Sequence, residues 1–160
     1  MYLLVNNLLS IKEILIKKNL KLSVAESCTG GLISSNLTDI DGASNFIEIN
    51  FVTYAESAKI NFLNVKKETI EKFGVVSKEV SAEMANGLLK YADLSISTTG
   101  YASDNNNDLK NPKGTVYFSF GYKNKIKTDK YISNKLDRVE IKKDMVNHIL
   151  IEFLKFLKEI

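Results

Sequence analysis

The chain has 160 residues, 44% of them hydrophobic, enough for one domain with a sizeable core. Its 22 basic side chains against 19 acidic ones leave a net charge of only +3, too mild an excess to mark a nucleic-acid-binding or membrane-surface protein. One cysteine cannot form an internal disulfide, and one cysteine with one histidine offers no structural zinc site, so a reducing, cytoplasmic setting is expected.

The opening MYLLVNNLLSIKEILIKK lacks a basic start and a small-residue cleavage site, and Asn6, Asn7, Lys12 and Glu13 interrupt it. It reads as neither a signal peptide nor a membrane span. Leu4, Leu8, Ile11 and Leu15 recur at helical spacing, with Lys17 and Lys18 where cations favour a helix C-terminus, which predicts an amphipathic helix covering a core. Leu22 and Val24 alternate with polar neighbours and predict a short strand. Leu32, Ile33 and Leu37 predict a helix that stops near Asp41 and Gly42.

FIEINFVTY, Phe46 to Tyr54, has the β-branched and aromatic content of a second strand, and a helix follows from about Glu56 to Leu63. Gly74 has the character of a helix C-terminal cap and Ser77 that of an N-cap, ahead of a helix whose buried face is Val80, Met84 and Leu88. Ala92 to Gly100 and Gly114 to Tyr122 predict two more strands, and Ile126 to Ser133 pairs with the second through a turn at Lys123 and Asn124. Val146, Ile149, Leu150, Phe153, Leu154 and Leu157 give a terminal helix one broad apolar face. No linker or repeat divides the chain, so residues 1–160 are expected to form one α/β domain, a mixed sheet covered by helices.

The stretch AESCTGG, Ala25 to Gly31, lies at the first strand-to-helix junction. Ser27 there suits two roles, a helix N-cap or a nucleophile beside the N–H groups of Thr29, Gly30 and Gly31. A nucleophilic serine needs a base. The only histidine, His148, falls in the terminal amphipathic helix, where a packed or solvent-facing role is the ordinary one. Lys59, the last residue of TYAESAK and one turn into the helix expected there, is an alternative. Working as a base near neutrality requires a pKa fall of about three units, or ~4 kcal/mol against the charged form. A surface lysine remains open on spacing alone, as does simple packing for Tyr54. Cys28 is a second candidate nucleophile or a small core residue. Arg138 is the only arginine, and its fixed fork of donors suits phosphate or carboxylate. The GxxxxGK[ST] loop, GxGxxG, HExxH and GxSxG are all absent.

Taken in order, AESCTGG, GASNF at Gly42, FVTYAESAK at Phe51, GVVS at Gly74, EMANG at Glu83, TTG at Thr98 and PKGTV at Pro112 resemble the CinA C-terminal domain family, the nicotinamide-nucleotide amidohydrolases. The resemblance runs over nearly the whole chain. It implies hydrolysis of the carboxamide of nicotinamide mononucleotide to nicotinic acid mononucleotide and ammonia, a recycling step for pyridine nucleotides that uses no metal or other cofactor. It implies Ser27 as nucleophile, Lys59 as base and Tyr54 sharing protons nearby. Thr29, Gly30 and Gly31 match the oxyanion loop, Thr99 and Gly100 of TTG match substrate-binding positions, and Arg138 in LDR matches an arginine that holds the phosphate. The partner expected is a small nucleotide, not nucleic acid or membrane, in a homo-oligomer.

One segment departs from the family, which follows TG with IAGP, a glycine-rich loop and a KPVGTV-like turn. Here the chain reads TGYASDNNNDLKNPKGTV, with Asp and Asn in place of the glycines and Asn111 in place of the lysine before the proline. The rival expectations are a nucleotide-binding domain with impaired turnover, and a partner of a separate nucleotide-pyrophosphatase domain.

Overall fold

The computed structural model describes residues 2–104 and 108–160, with side chains from Val5 onward. Among the described residues, six α-helices and five strands follow in the order α1 (Tyr2–Lys17), β1 (Leu22–Glu26), α2 (Leu32–Thr38), β2 (Ile47–Val52), α3 (Glu56–Leu63), α4 (Lys67–Phe73), α5 (Lys78–Leu88), β3 (Leu94–Gly100), β4 (Thr115–Tyr122), β5 (Lys125–Ile132) and α6 (Arg138–Glu159). The strands form one mixed sheet in the order β2-β1-β3-β4-β5, with β1 parallel to both β2 and β3, and β4 antiparallel to β3 and β5. The expected α/β sheet covered by helices is present. No helix of the described residues is long and apolar enough to cross a membrane.

Strand alternation gives the two faces of the sheet different chemistry. Leu22, Val24, Leu94, Ile96, Val116, Phe118 and Phe120 pack in one apolar core with Leu8, Ile11 and Leu15 of α1 and the buried stripe of α6. The opposite face carries Ser23, Ser95, Ser97 and Ser119, all buried. There the Ser81 hydroxyl of α5 bonds both Ser97 and Ser119. Small residues let α5 lie close to its neighbours: a Cβ on Gly87 would stand 2.0 Å from the Leu63 carbonyl oxygen at the end of α3. A smaller core of Leu63, Val65, Ile70, Val80, Met84 and Leu88 fills the space among α3, α4 and α5.

The caps read from the sequence are largely where expected. Ser77 accepts from the Val80 N–H, and Gly74 closes α4 at φ 83°, a backbone state costly for a side chain. Asp137 accepts from the N–H groups of Val139 and Glu140, so α6 begins at Arg138. Ser27 is not the cap of α2. Gly31 occupies that position at φ 93° with no capping side chain of its own. The Leu4 side chain and residues 105–107 of the divergent segment lie outside the described residues.

Candidate active site

The connections leave β1 in opposite directions, to β2 on one side and then across to β3 on the other. In open parallel sheets this reversal leaves a crevice beyond the carboxyl ends of the strands. Here a pocket of about 520 Å³ opens there, lined by Ser27 and Cys28 after β1, Tyr54, Glu56 and Lys59 around the start of α3, Thr99 and Gly100 at the end of β3, and Arg138.

Lys59 is fully buried. Its Nζ lies 3.0 Å from Ser27 Oγ, 2.7 Å from the Thr53 carbonyl oxygen and 3.3 Å from that of Tyr54. The parallel pairing of β1 and β2 explains the meeting of residues 32 apart in sequence, because Glu26 stands beside Val52 in register and both strands end together. Burial lowers the Lys59 pKa from its ordinary value to about 8, against opposing contributions from Cys28 and Glu56. The two carbonyls accept two amine protons. In the neutral amine the remaining position is a lone pair, and Ser27 Oγ is the third neighbour.

Cys28 lines the same pocket, but its pKa is pushed up to about 12, mainly by burial, with the charge of Glu26 adding to the rise. A thiol so raised is almost wholly protonated near neutrality and a poor nucleophile. His148 stacks on Tyr131 with ring centroids 3.9 Å apart and meets Phe118 edge-on, a packing role away from the pocket.

Tyr54 is largely exposed. Its carbonyl holds Lys59, whereas its phenol oxygen accepts from Arg138 Nη2 at 3.1 Å. Arg138 Nη1 also donates to Ser103 Oγ, so the guanidinium bridges the β2–α3 junction and the segment after β3 across the pocket mouth. Thr99 lines the pocket while its hydroxyl donates to the Val75 carbonyl and fixes the adjoining wall. A Cβ on Gly100 would lie 2.3 Å from the Thr115 carbonyl oxygen, so only glycine lets β3 and β4 close at this edge of the pocket.

Thr29, Gly30 and Gly31 do not line the pocket. The Gly30 N–H donates to the Ser27 carbonyl at 3.1 Å and the Gly31 N–H to Glu26 Oε2 at 3.0 Å, while the Thr29 hydroxyl bonds that of Thr98. The expectation that Gly30 and Gly31 present free donors to an oxyanion is therefore corrected: a carboxylate and a carbonyl from the chain itself already engage them. Gly30 has a different use. Its φ is 63°, and Lys142 Nζ would stand 3.1 Å from an added Cβ.

Sequence reasoning passed over Glu26, the second residue of the same motif. It is fully buried, and its carboxylate accepts from the N–H groups of Gly31, Ile33 and Ser34 and from the Ser34 hydroxyl, at 2.7 to 3.0 Å. A glutamate ending an apolar strand just before a glycine pair was the available signal. Asn111 was read as a replaced lysine. It is buried and bonded to the Val76 carbonyl, Asp108 and Tyr117, which anchors the far end of the divergent segment against the pocket wall.

The arrangement defines a class: an α/β domain carrying a buried lysine against a serine at the carboxyl ends of its parallel strands. The pattern of the CinA C-terminal domain matches residues 7–157, and the chain belongs to that family. It is 44% identical over 144 residues to a CinA-like protein of Fusobacterium nucleatum, covering 89% of this chain and 35% of that protein. It is 45% identical over 114 residues to a CinA-like protein of Petrotoga mobilis, covering 70% and 28%. The chain thus spans about a third of the length of these curated relatives. Among solved structures, a competence-damaged protein (CinA) superfamily protein of Klebsiella pneumoniae superposes with a TM-score of 0.91 at 28% identity, covering 97% of this chain and 98% of that one. One from Escherichia coli gives 0.90 at 32% identity, covering 96% and 90%.

Proposed function

We propose that this chain is an amidohydrolase that converts the carboxamide of nicotinamide mononucleotide to the carboxylate, releasing ammonia, in cytoplasmic recycling of pyridine nucleotides. The observation that carries the reading is the 3.0 Å approach of a buried Lys59 amine to Ser27 Oγ, at the edge of a pocket large enough for a mononucleotide. The substrate class is the one implied by the resemblance of the sequence motifs.

With a pKa of about 8, roughly a tenth of Lys59 is neutral at pH 7. The neutral amine takes the Ser27 proton as Oγ attacks the carboxamide carbon. The C–N bond of the tetrahedral adduct then breaks, and the lysinium proton goes to the departing nitrogen, giving ammonia and an acyl-serine ester. Water adds to the ester, Lys59 takes its proton, and cleavage of the C–O bond returns that proton to Ser27. The two carbonyls that hold the amine keep its reacting position toward Ser27 throughout. Arg138, at the mouth, suits the substrate phosphate and would exchange its bonds to Tyr54 and Ser103 for phosphate oxygens. Gly100 and the wall fixed by Thr99 bound the space left for the pyridine ring. No step calls on a cofactor.

Ammonia release measured across nicotinamide mononucleotide, nicotinamide riboside and free nicotinamide tests the assignment. Turnover confined to, or strongly favouring, the phosphorylated amide is expected. Binding of the mononucleotide without ammonia release would instead identify a nucleotide-binding domain without turnover.

A further inference from the structure

We infer that Glu26 is the positioning residue of the serine–lysine pair: its side chain fixes the loop that carries Ser27, while its main chain fixes the strand end that holds Lys59. The inference rests on the amidohydrolase reading and adds to it a residue outside the pocket.

Two sets of bonds meet at Glu26. The first is made by the carboxylate, which gathers three backbone N–H groups and one hydroxyl from residues 31 to 34. These bonds draw the start of α2 back over the end of β1 and leave Ser27 to Gly30 as a closed turn, sealed by the Gly30 N–H on the Ser27 carbonyl. The second is made by the Glu26 carbonyl, which accepts from the Thr53 N–H at 2.8 Å. The Thr53 carbonyl in turn accepts from Lys59 Nζ. One residue therefore stands one bond from the nucleophile's loop and two bonds from the base.

The chemistry of the residue fits this use. Four donors converge on two oxygens, a set that a carboxylate satisfies fully and an amide cannot, since an amide nitrogen would face a donor. Glu26 is fully buried and does not itself line the pocket, so its carboxylate acts through the turn that carries Ser27. A displacement of the attacking oxygen by about 1 Å is enough to cost two orders of magnitude in rate.

The test compares ammonia release from nicotinamide mononucleotide by the native chain, Glu26→Gln and Ser34→Ala, with circular dichroism and thermal melting to show folding. For folded Glu26→Gln the expected result is a fall in kcat of about a hundredfold with KM within about twofold, because the pocket walls and Arg138 are untouched. Ser34→Ala keeps the charge and three of the four bonds, and is expected to lower kcat severalfold at unchanged KM. A kcat within twofold of native in folded Glu26→Gln overturns the inference and leaves Glu26 a helix cap. If that variant does not fold, an unchanged kcat in Ser34→Ala overturns it equally. Absence of ammonia release from the native chain removes the amidohydrolase reading and this inference together, whereas native turnover with an indifferent Glu26 removes only the latter.

Discussion

At the scale of the residue, the proposed chemistry rests on Lys59, whose burial lowers its pKa toward the range of a base that works near neutrality. Its neutral form grows as pH rises through about 8, so kcat/KM for ammonia release should climb about tenfold per unit below that value and level off above it. Glu56 lines the pocket and raises the lysine pKa, so Glu56→Gln should move the inflection to lower pH. A flat profile between pH 6.5 and 9.5 would contradict the assignment. The same shift bears on stability. A lysine whose folded pKa lies below the unfolded 10.5 gives the unfolded chain more bound protons between about 8 and 10.5, so the contribution is complete above that window and lost as pH falls through it. Melting temperatures of the native chain and Lys59→Met, measured at pH 8 and pH 10, should therefore change relative to each other in favour of the native chain at the higher pH. Cys28 offers the opposite case. With its pKa near 12 it should react only slowly with iodoacetamide at pH 8 in the folded state, and quickly once denatured.

At the scale of the element, the site depends on how closely the helices and strands approach. Gly87 of α5 faces the Leu63 carbonyl with no room for a Cβ, so Gly87→Ala should destabilise the fold by about 3 kcal/mol through overpacking, read as a lower denaturant midpoint. An unchanged midpoint would show that α3 and α5 can separate freely. Elements marked by strong periodicity were legible in the sequence. Leu8, Ile11 and Leu15 announced α1, the apolar stripe announced α6, and β-branched and aromatic runs announced β2 and β4. The seven-residue α4, Lys67–Phe73, was marked only by the glycine that ends it, because a helix of two turns with one buried residue, Ile70, has little pattern to show. Of the two roles open to Ser27 in the sequence, the cap of α2 is not the one seen, for a physical reason: serine at a strand-to-helix junction has the right local chemistry, but the capping carboxylate comes from Glu26, which precedes it in the strand.

At the scale of the whole molecule, the sheet order places the ends of β1, β2 and β3 side by side, and this converts scattered motifs into one pocket. Ser27, Lys59, Tyr54, Thr99, Gly100 and Arg138 were all named from the sequence, and they gather around it. Their gathering was not readable from spacing, since it depends on β3 crossing to the far side of β1. The use made of each side chain was even less so. Tyr54 holds the amine by its carbonyl and Arg138 by its phenol, and the glycine N–H groups bond within the chain, none of which residue type alone could indicate. The measurement that bears most directly on the account is ammonia release from nicotinamide mononucleotide by folded Ser27→Ala, Lys59→Ala and Cys28→Ala beside the native chain. Loss of about a thousandfold or more in the first two, with most activity kept in the third, is the predicted result. Turnover that survives Ser27→Ala or Lys59→Ala, or that disappears with Cys28→Ala in a folded protein, would contradict it.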